Sequence, residues 1–360
     1  MLIFEFLVQF LIASFFILLI YRNKEKRNCL YFIISFFMLG MVIGLRDYTT
    51  AGIDLIRYNY TYESALNKPI SEALNLRDGA NAGFFLLNYY CSNLGISYQL
   101  FISIIGIICV FFTLLFYYQY RSSNILSVLA YMGMGVYTFQ FSGLKQSIAM
   151  VLILWMIHFW LNGKKRIAFS FLFVAILFHP VVCICIPYLI LSSLQLNKWY
   201  IILALLLLAV LFVFRVQIGN YITLIYDEGY VGRYESTGRI GGTFLLLLYI
   251  LLLYYCTFSE IILHRGSLQR EFFIILCLAC GVQVLSSASY AFTRLNLCYV
   301  QFIPVILTQI YDGAGLKREV LTRNILRIGL LPILYILYEQ FLGSLEGNDL
   351  LNYQMILRNI

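Results

Sequence analysis

Directly after an apolar run, residues 44–62 read GLRDYTTAGIDLIRYNYTY and set Arg46, Asp47, Asp54 and Arg57 among tyrosines. In a chain where only 12% of residues are charged, such a gathering calls for a reason. Arginine's planar fork matches phosphate oxygens, an aromatic ring stacks on the apolar face of a sugar, and a carboxylate can take a hydroxyl proton. These residue types suit an anionic, sugar-bearing substrate. They also suit an interfacial belt, in which tyrosines sit at headgroup level and charges mark the exit from lipid. A helix here would carry Asp54, Arg57, Tyr58 and Tyr62 at i, i+3, i+4 and i+8, on one side.

Comparable residues recur further on. Tyr226, Tyr230, Arg233 and Tyr234 repeat the pattern in a second polar stretch. Lys145 in FSGLKQSIA and Arg294 in SYAFTRLN stand at the ends of otherwise apolar helices. A cation there can snorkel to the headgroups, or it can join Arg46 and Arg57 in clamping a pyrophosphate carried by a membrane lipid. His179 precedes Pro180 between two apolar runs. An unperturbed imidazole accepts a proton near neutrality, so His179 is a candidate base, with a plain turn residue as the alternative.

The elements that must position these residues are membrane helices. Hydrophobic residues make up 62% of the 360-residue chain, and apolar runs long enough to cross a bilayer recur from end to end. Helices satisfy their own backbone hydrogen bonds in lipid, so the expected class is an all-α polytopic membrane protein, one integral domain over 1–360. The run Leu2–Tyr21 is followed, not preceded, by basic residues, which reads as a retained helix with its N-terminus outside. Other candidate helices include 124–140, 167–178, 180–194, 199–214 and 295–311.

Charge sets the count of crossings. If 167–194 is a hairpin turning at His179 and Pro180, short loops holding more than half of the 25 basic residues fall on one side, as cytoplasmic loops should. The HRGSLQR segment belongs to these loops. The result is about twelve transmembrane helices, with a long outer loop, 46–98, after the second and another, 215–242, after the eighth. Within the first loop, AGFFLLNYYCSNLG is apolar but too short to span, and reads as a helix on the membrane surface.

Several functions are disfavoured. The net charge of +8 comes mainly from the cytoplasmic loops and suits anionic lipid rather than nucleic acid. The nine cysteines lie mostly in apolar runs as small hydrophobes, and the CxxC of Cys277 and Cys280 lacks the partners of a zinc site. No GxSxG, HExxH, P-loop or DxD pattern occurs, so neither a metal nor another cofactor is expected.

The segments GLRDYTTAGIDLIRYNY, AGFFLLNYYCSNLGISYQLF, FSGLKQSIA and KKRIAFSFLFVAILFHPVVCICIPYLIL, in this order, together with YAFTRLNLCY, resemble the EpsG family of bacterial polysaccharide polymerases, related to the Wzy O-antigen polymerases. There are departures. The family usually has arginine where Lys145 stands, and often an acidic residue before Gly83, where this chain has Asn81 and Ala82.

The resemblance implies joining of undecaprenyl-pyrophosphate-linked oligosaccharide repeat units at the periplasmic face of the inner membrane; the sequence leaves open whether the chain works alone or beside a flippase and a chain-length regulator. In that setting Arg46, Arg57 and Arg294 would neutralise the pyrophosphate with Lys145 in support, and His179 or Asp54 would take the hydroxyl proton. Tyr58, Tyr230 and Tyr234, with Arg233, would hold sugars. An O-antigen ligase or a lipid-phosphate-sugar glycosyltransferase would want similar residues. A lipid-linked oligosaccharide flippase would instead carry charges along a path at mid-membrane.

Overall fold

The computed structural model describes residues 2–75, 81–120, 125–195, 198–218, 243–257, 268–286, 291–311, 332, 335–343, 350 and 353–355. These are almost wholly helical. The helices are α1 (Leu2–Leu18), α2 (Lys24–Gly44), α3 (Ile53–Ser64), α4 (Ile70–Asn75), α5 (Ala82–Asn93), α6 (Tyr98–Gln119), α7 (Ile125–Gly133), α8 (Val136–Phe139), α9 (Leu144–Leu161) and α10 (Lys165–Phe178). They continue with a 3-10 turn (Pro180–Cys185), α11 (Ile186–Ser193), α12 (Lys198–Val213), α13 (Thr243–Thr257), α14 (Leu268–Leu285), α15 (Ala291–Val300) and α16 (Ile303–Tyr311).

Among the described residues α2, α6, α9 and α14 are long and apolar enough to cross a membrane. Large apolar side chains lie exposed along α12, including Trp199, Leu206, Leu207 and Val213, a surface that suits lipid and not water. The protein is a helical membrane protein.

Local chemistry sets the helix ends. Asn23 caps α2 by accepting from the backbone N–H groups of Glu25 and Lys26, at 2.9 and 3.1 Å. Ser97 caps α6 through the Leu100 N–H. The helix expected over 124–140 is broken, because Gly135 adopts a left-handed φ of 78° between α7 and α8. The one expected over 295–311 is likewise interrupted at Gln301 and Phe302. Pro304 has no N–H to continue α15, and it sits instead in the first turn of α16. The 180–194 arm is a 3-10 turn followed by the short α11.

The described residues group into two compact units. The first holds the residues up to Val181, α16 and the C-terminal stretch; the second holds those from Val182 to Phe302. In the first unit α1 packs on α2, α2 on α6, α6 on α9, α9 on α10, and α7 on α16. Aromatic contacts of Phe4 with Phe141, Phe341 and Tyr353 gather the start of α1, the turn before α9 and the C-terminal stretch at one end of this bundle. At the other end Tyr120 meets His158, and its carbonyl accepts from Gln309.

In the second unit α14 packs against α11, α12, α13 and α15. Its first turn carries a buried ion pair, Arg270 to Glu271 at 2.7 Å. Arg270 also donates to the carbonyls of Leu191, Ser192 and Leu194 at the end of α11, and Glu271 accepts from Tyr188 (3.0 Å) and Ser192 (2.6 Å). The sequence places Arg270 in the cytoplasmic loop 263–270; it is instead a buried cation in the first turn of α14 that caps α11. Removing one partner of such a pair strands the other in a low dielectric. Glu271→Ala is therefore expected to cost about 3–5 kcal/mol of stability, read as earlier thermal unfolding of the detergent-solubilised protein, with Glu5→Ala as the near-neutral control.

Candidate functional site

Arg46 follows α2 by two residues and has no exposed surface. Its Nη1 donates to the Ile43 carbonyl at 2.6 Å and its Nη2 to the Ile102 carbonyl at 3.0 Å, joining the end of α2 to α6. The Phe141 ring lies 6.0 Å from the guanidinium carbon. Gly106 makes the room: a methyl group there would stand 2.4 Å from Nη1. Burial lowers the pKa of Arg46 to about 10, so it keeps its charge at neutral pH. The open pyrophosphate clamp expected of Arg46 is thus not its arrangement here, because its terminal nitrogens are directed at backbone carbonyls.

The turn after Arg46 is fixed in the same way. Gln99 donates to the Arg46 carbonyl at 2.8 Å and accepts from the Tyr48 N–H at 3.3 Å. Asp47 accepts from the Thr49 N–H and hydroxyl at 2.8 and 2.7 Å, closing an Asx turn. Gly52 then leads into α3 at φ 127°, and its lack of a side chain lets it lie on Ser142, 2.8 Å from where a Cβ would stand.

Helix α3 does form around the expected residues, but it divides them. Arg57 is exposed, Asp54 and Tyr58 are half-buried, and Tyr62 turns into the core, where its hydroxyl donates to the Ile96 carbonyl at 2.8 Å. At 3.6 residues per turn, Arg57 and Tyr62 stand roughly 140° apart around the helix, too far to share one narrow face. Burial pushes the Tyr62 phenol up to about 12, so it remains a neutral donor.

Tyr58 faces Lys145. The ammonium lies 4.9 Å from the Tyr58 ring centre and 5.7 Å from that of Phe84, and the two rings meet edge-on at 5.2 Å. Phe84 belongs to the first turn of α5, and its neighbour Gly83 packs on the end of α10: a methyl group there would stand 3.2 Å from the Leu177 carbonyl. Two residues beyond that contact, His179 leaves the helix with φ −157°, as a residue before proline must. Its Nδ1 accepts from the Val181 N–H at 3.3 Å. In a neutral ring this places the proton on Nε2, where the imidazole is a donor.

The start of α5 is therefore the meeting point, with Lys145 on one side and the α10 end leading to His179 on the other. The first backbone bond within this helix runs from the Phe85 N–H to the Asn81 carbonyl, and Asn81 makes no side-chain cap. The N–H groups of a first turn have no partner inside the helix and carry its positive dipole end. The sequence alone does not single out Phe84, Gln99 or Gly106, and marks Gly83 only as the position after Asn81 and Ala82. Arg294 is exposed in the first turn of α15, in the second unit. Tyr230, Arg233 and Tyr234 lie outside the described residues. Among the described residues no group of three or more His, Cys, Asp or Glu is placed to hold a metal.

The EpsG family model matches residues 29–355. The chain belongs to the EpsG family. No curated protein and no solved structure matches it. EpsG is a Wzy-like polymerase-type family, and the match spans nearly the whole of this EpsG chain. The match runs from the second turn of α2 to the last described residue, and so takes in both the Arg46 scaffold and the Lys145 group.

Two substitutions separate scaffold from ligand at Arg46. Arg46→Ala leaves two buried carbonyls without their donors, at about 1–3 kcal/mol each, and is expected to lower the thermal stability of the detergent-solubilised protein. Gly106→Ala should do the same with Arg46 intact, by displacing the guanidinium. Wild-type stability in both variants would contradict the scaffold role.

Proposed function

We propose that this EpsG protein joins undecaprenyl-pyrophosphate-linked oligosaccharide repeat units into O-antigen or a related surface polysaccharide, at the periplasmic face of the inner membrane. The observation that carries this reading is the Lys145 ammonium held against Tyr58 and Phe84, beside a helix start whose other flank leads to His179. A cation, backbone donors and an imidazole donor suit a phosphate, and the half-buried Tyr58 ring suits a sugar.

The reaction needs no acid for its leaving group. A hydroxyl of the incoming unit attacks the anomeric carbon of the growing chain, the bond from that carbon to the pyrophosphate oxygen breaks, and lipid pyrophosphate departs as an anion. Cations stabilise that charge as it develops, the place that a carboxylic acid takes in glycosidases. Lys145 and the exposed Arg57 serve this role, and His179 donates from Nε2 to a phosphate or sugar oxygen. Asp54, half-buried one turn before Tyr58, accepts the hydroxyl proton. Arg294, exposed on the second unit, is a further cation that we assign to phosphate. A flippase delivers the substrate, and a chain-length regulator limits the product.

Interrupted helices are also a feature of transporters. Here the polar groups beside the Gly135 break bond to one another: Tyr131 donates to Gln140, Gln140 to Thr113, and Thr113 to the Cys109 carbonyl. They do not line a charged path, which favours the enzyme.

Deletion with gel analysis of surface polysaccharide tests the proposal. Loss of the ladder with retention of one capped unit supports a polymerase, whereas loss of all capped material points to a ligase or flippase, and a shortened unit to a different glycosyltransferase. Within the polymerase, Lys145→Gln should slow chain growth about 10²-fold at unchanged membrane level, as loss of one transition-state charge partner does, and Lys145→Arg should restore most of it. Asp54→Asn should abolish the ladder. A ladder of wild-type length from Asp54→Asn would remove it as the base.

A further inference from the structure

The C-terminal stretch reaches back over the whole chain to the turn that follows α2. Arg46 and Met355 form an antiparallel backbone bridge, the Asp47 N–H donates to the Gln354 carbonyl at 3.1 Å, and the Gln354 N–H donates to the Thr50 hydroxyl at 3.3 Å. Tyr353 anchors the stretch. Its ring packs edge-on against Phe4 at 5.3 Å and Phe141 at 5.9 Å, and its hydroxyl donates to the Val42 carbonyl in the last turn of α2. Its own N–H donates to the carbonyl of the fully buried Leu350.

We infer that Tyr353–Met355 is a positioning strap, which holds residues 46–51 so that α3 presents Asp54 and Tyr58 to Lys145. Each link is a contact on the same bundle end. The strap pairs with Arg46, Asp47 and Thr50; the Asp47 carbonyl accepts from the Thr50 and Ala51 N–H groups; Gly52 then rests on Ser142, three residues before Lys145. Without the strap, one edge of this turn loses its backbone partners and its aromatic anchor. The turn then keeps its Arg46, Gln99 and internal bonds, but its outer edge has lost the backbone partners that tie it to the C-terminal stretch, and the start of α3 is freer to shift against α9. Nothing in the strap touches the proposed reacting atoms, so Tyr353 and Gln354 are positioning residues and not catalytic ones.

The role in catalysis rests on the polymerase reading, whereas the strap itself can be tested apart from it. With Thr50→Cys and Gln354→Cys together in the full-length protein, a short bis-maleimide should join the two positions within one chain, identified by mass spectrometry of the digest. Absence of that 50–354 link overturns the strap whatever the protein's reaction. For activity, Tyr353→Ala should cut chain growth at least roughly tenfold at unchanged membrane level, mainly in kcat and not KM, since small misplacement of reacting groups has effects of this size. Tyr353→Phe keeps the ring and should recover to within about threefold of wild type. Wild-type growth from Tyr353→Ala overturns the positioning role and leaves the polymerase reading intact. A wild-type protein that builds no polymer defeats the polymerase reading, and the cross-link still decides the strap.

Discussion

A full positive charge with no exposed surface sits at the end of α2, and the backbone carbonyls of Ile43 and Ile102 stand around it in place of water. Desolvating a guanidinium is costly, so the arrangement holds only while both carbonyls and the space beside Gly106 stay in place. The end of α2 also favours a cation, since the helix dipole is negative there. Arg46 thereby locks α2 to α6 at the point from which the polar turn departs. Gln99, the Asp47 turn and the C-terminal stretch then fix the direction in which α3 leaves. The geometry around Lys145 follows from that direction.

The candidate site follows a division of labour among cations. Arg46 is buried and bonded, and serves structure; Lys145 is half-buried against two aromatic rings, and Arg57 is exposed. An ammonium over aromatic faces keeps its charge while giving up part of its hydration, a state suited to meeting an incoming phosphate. Lysine lacks arginine's bidentate fork, so the proposed phosphate would meet a point charge.

The helical membrane class was legible because lipid imposes it: long apolar runs with charge confined to their ends admit few other structures. Lys145 at a helix start was legible from the Ser-Gly turn before it, and His179 at a helix end from the proline after it. The burial of Arg46 was not. Its neighbours in sequence suggest an exposed membrane exit, and the feature that decides otherwise is a missing side chain at Gly106, on another helix. Arg270 misled for a related reason, since a basic residue in a charged segment reads as a loop charge until its partners on α11 are known. Phe84 joined Lys145, and Tyr353 joined Val42, through contacts between segments far apart in the chain, which local pattern does not encode. The broken helix at Gly135 was hidden within an apolar run whose composition suits a continuous span.

The most direct measurement is reconstitution of the purified protein in liposomes with a single lipid-pyrophosphate-linked repeat unit, followed by mass spectrometry of the lipid-linked products. A polymerase yields a series of chains differing by one repeat unit, each new linkage releasing one lipid pyrophosphate, with no nucleotide or metal added. A single transfer that stops at one product, or movement of the lipid across the bilayer with no new glycosidic bond, would contradict the polymerase reading.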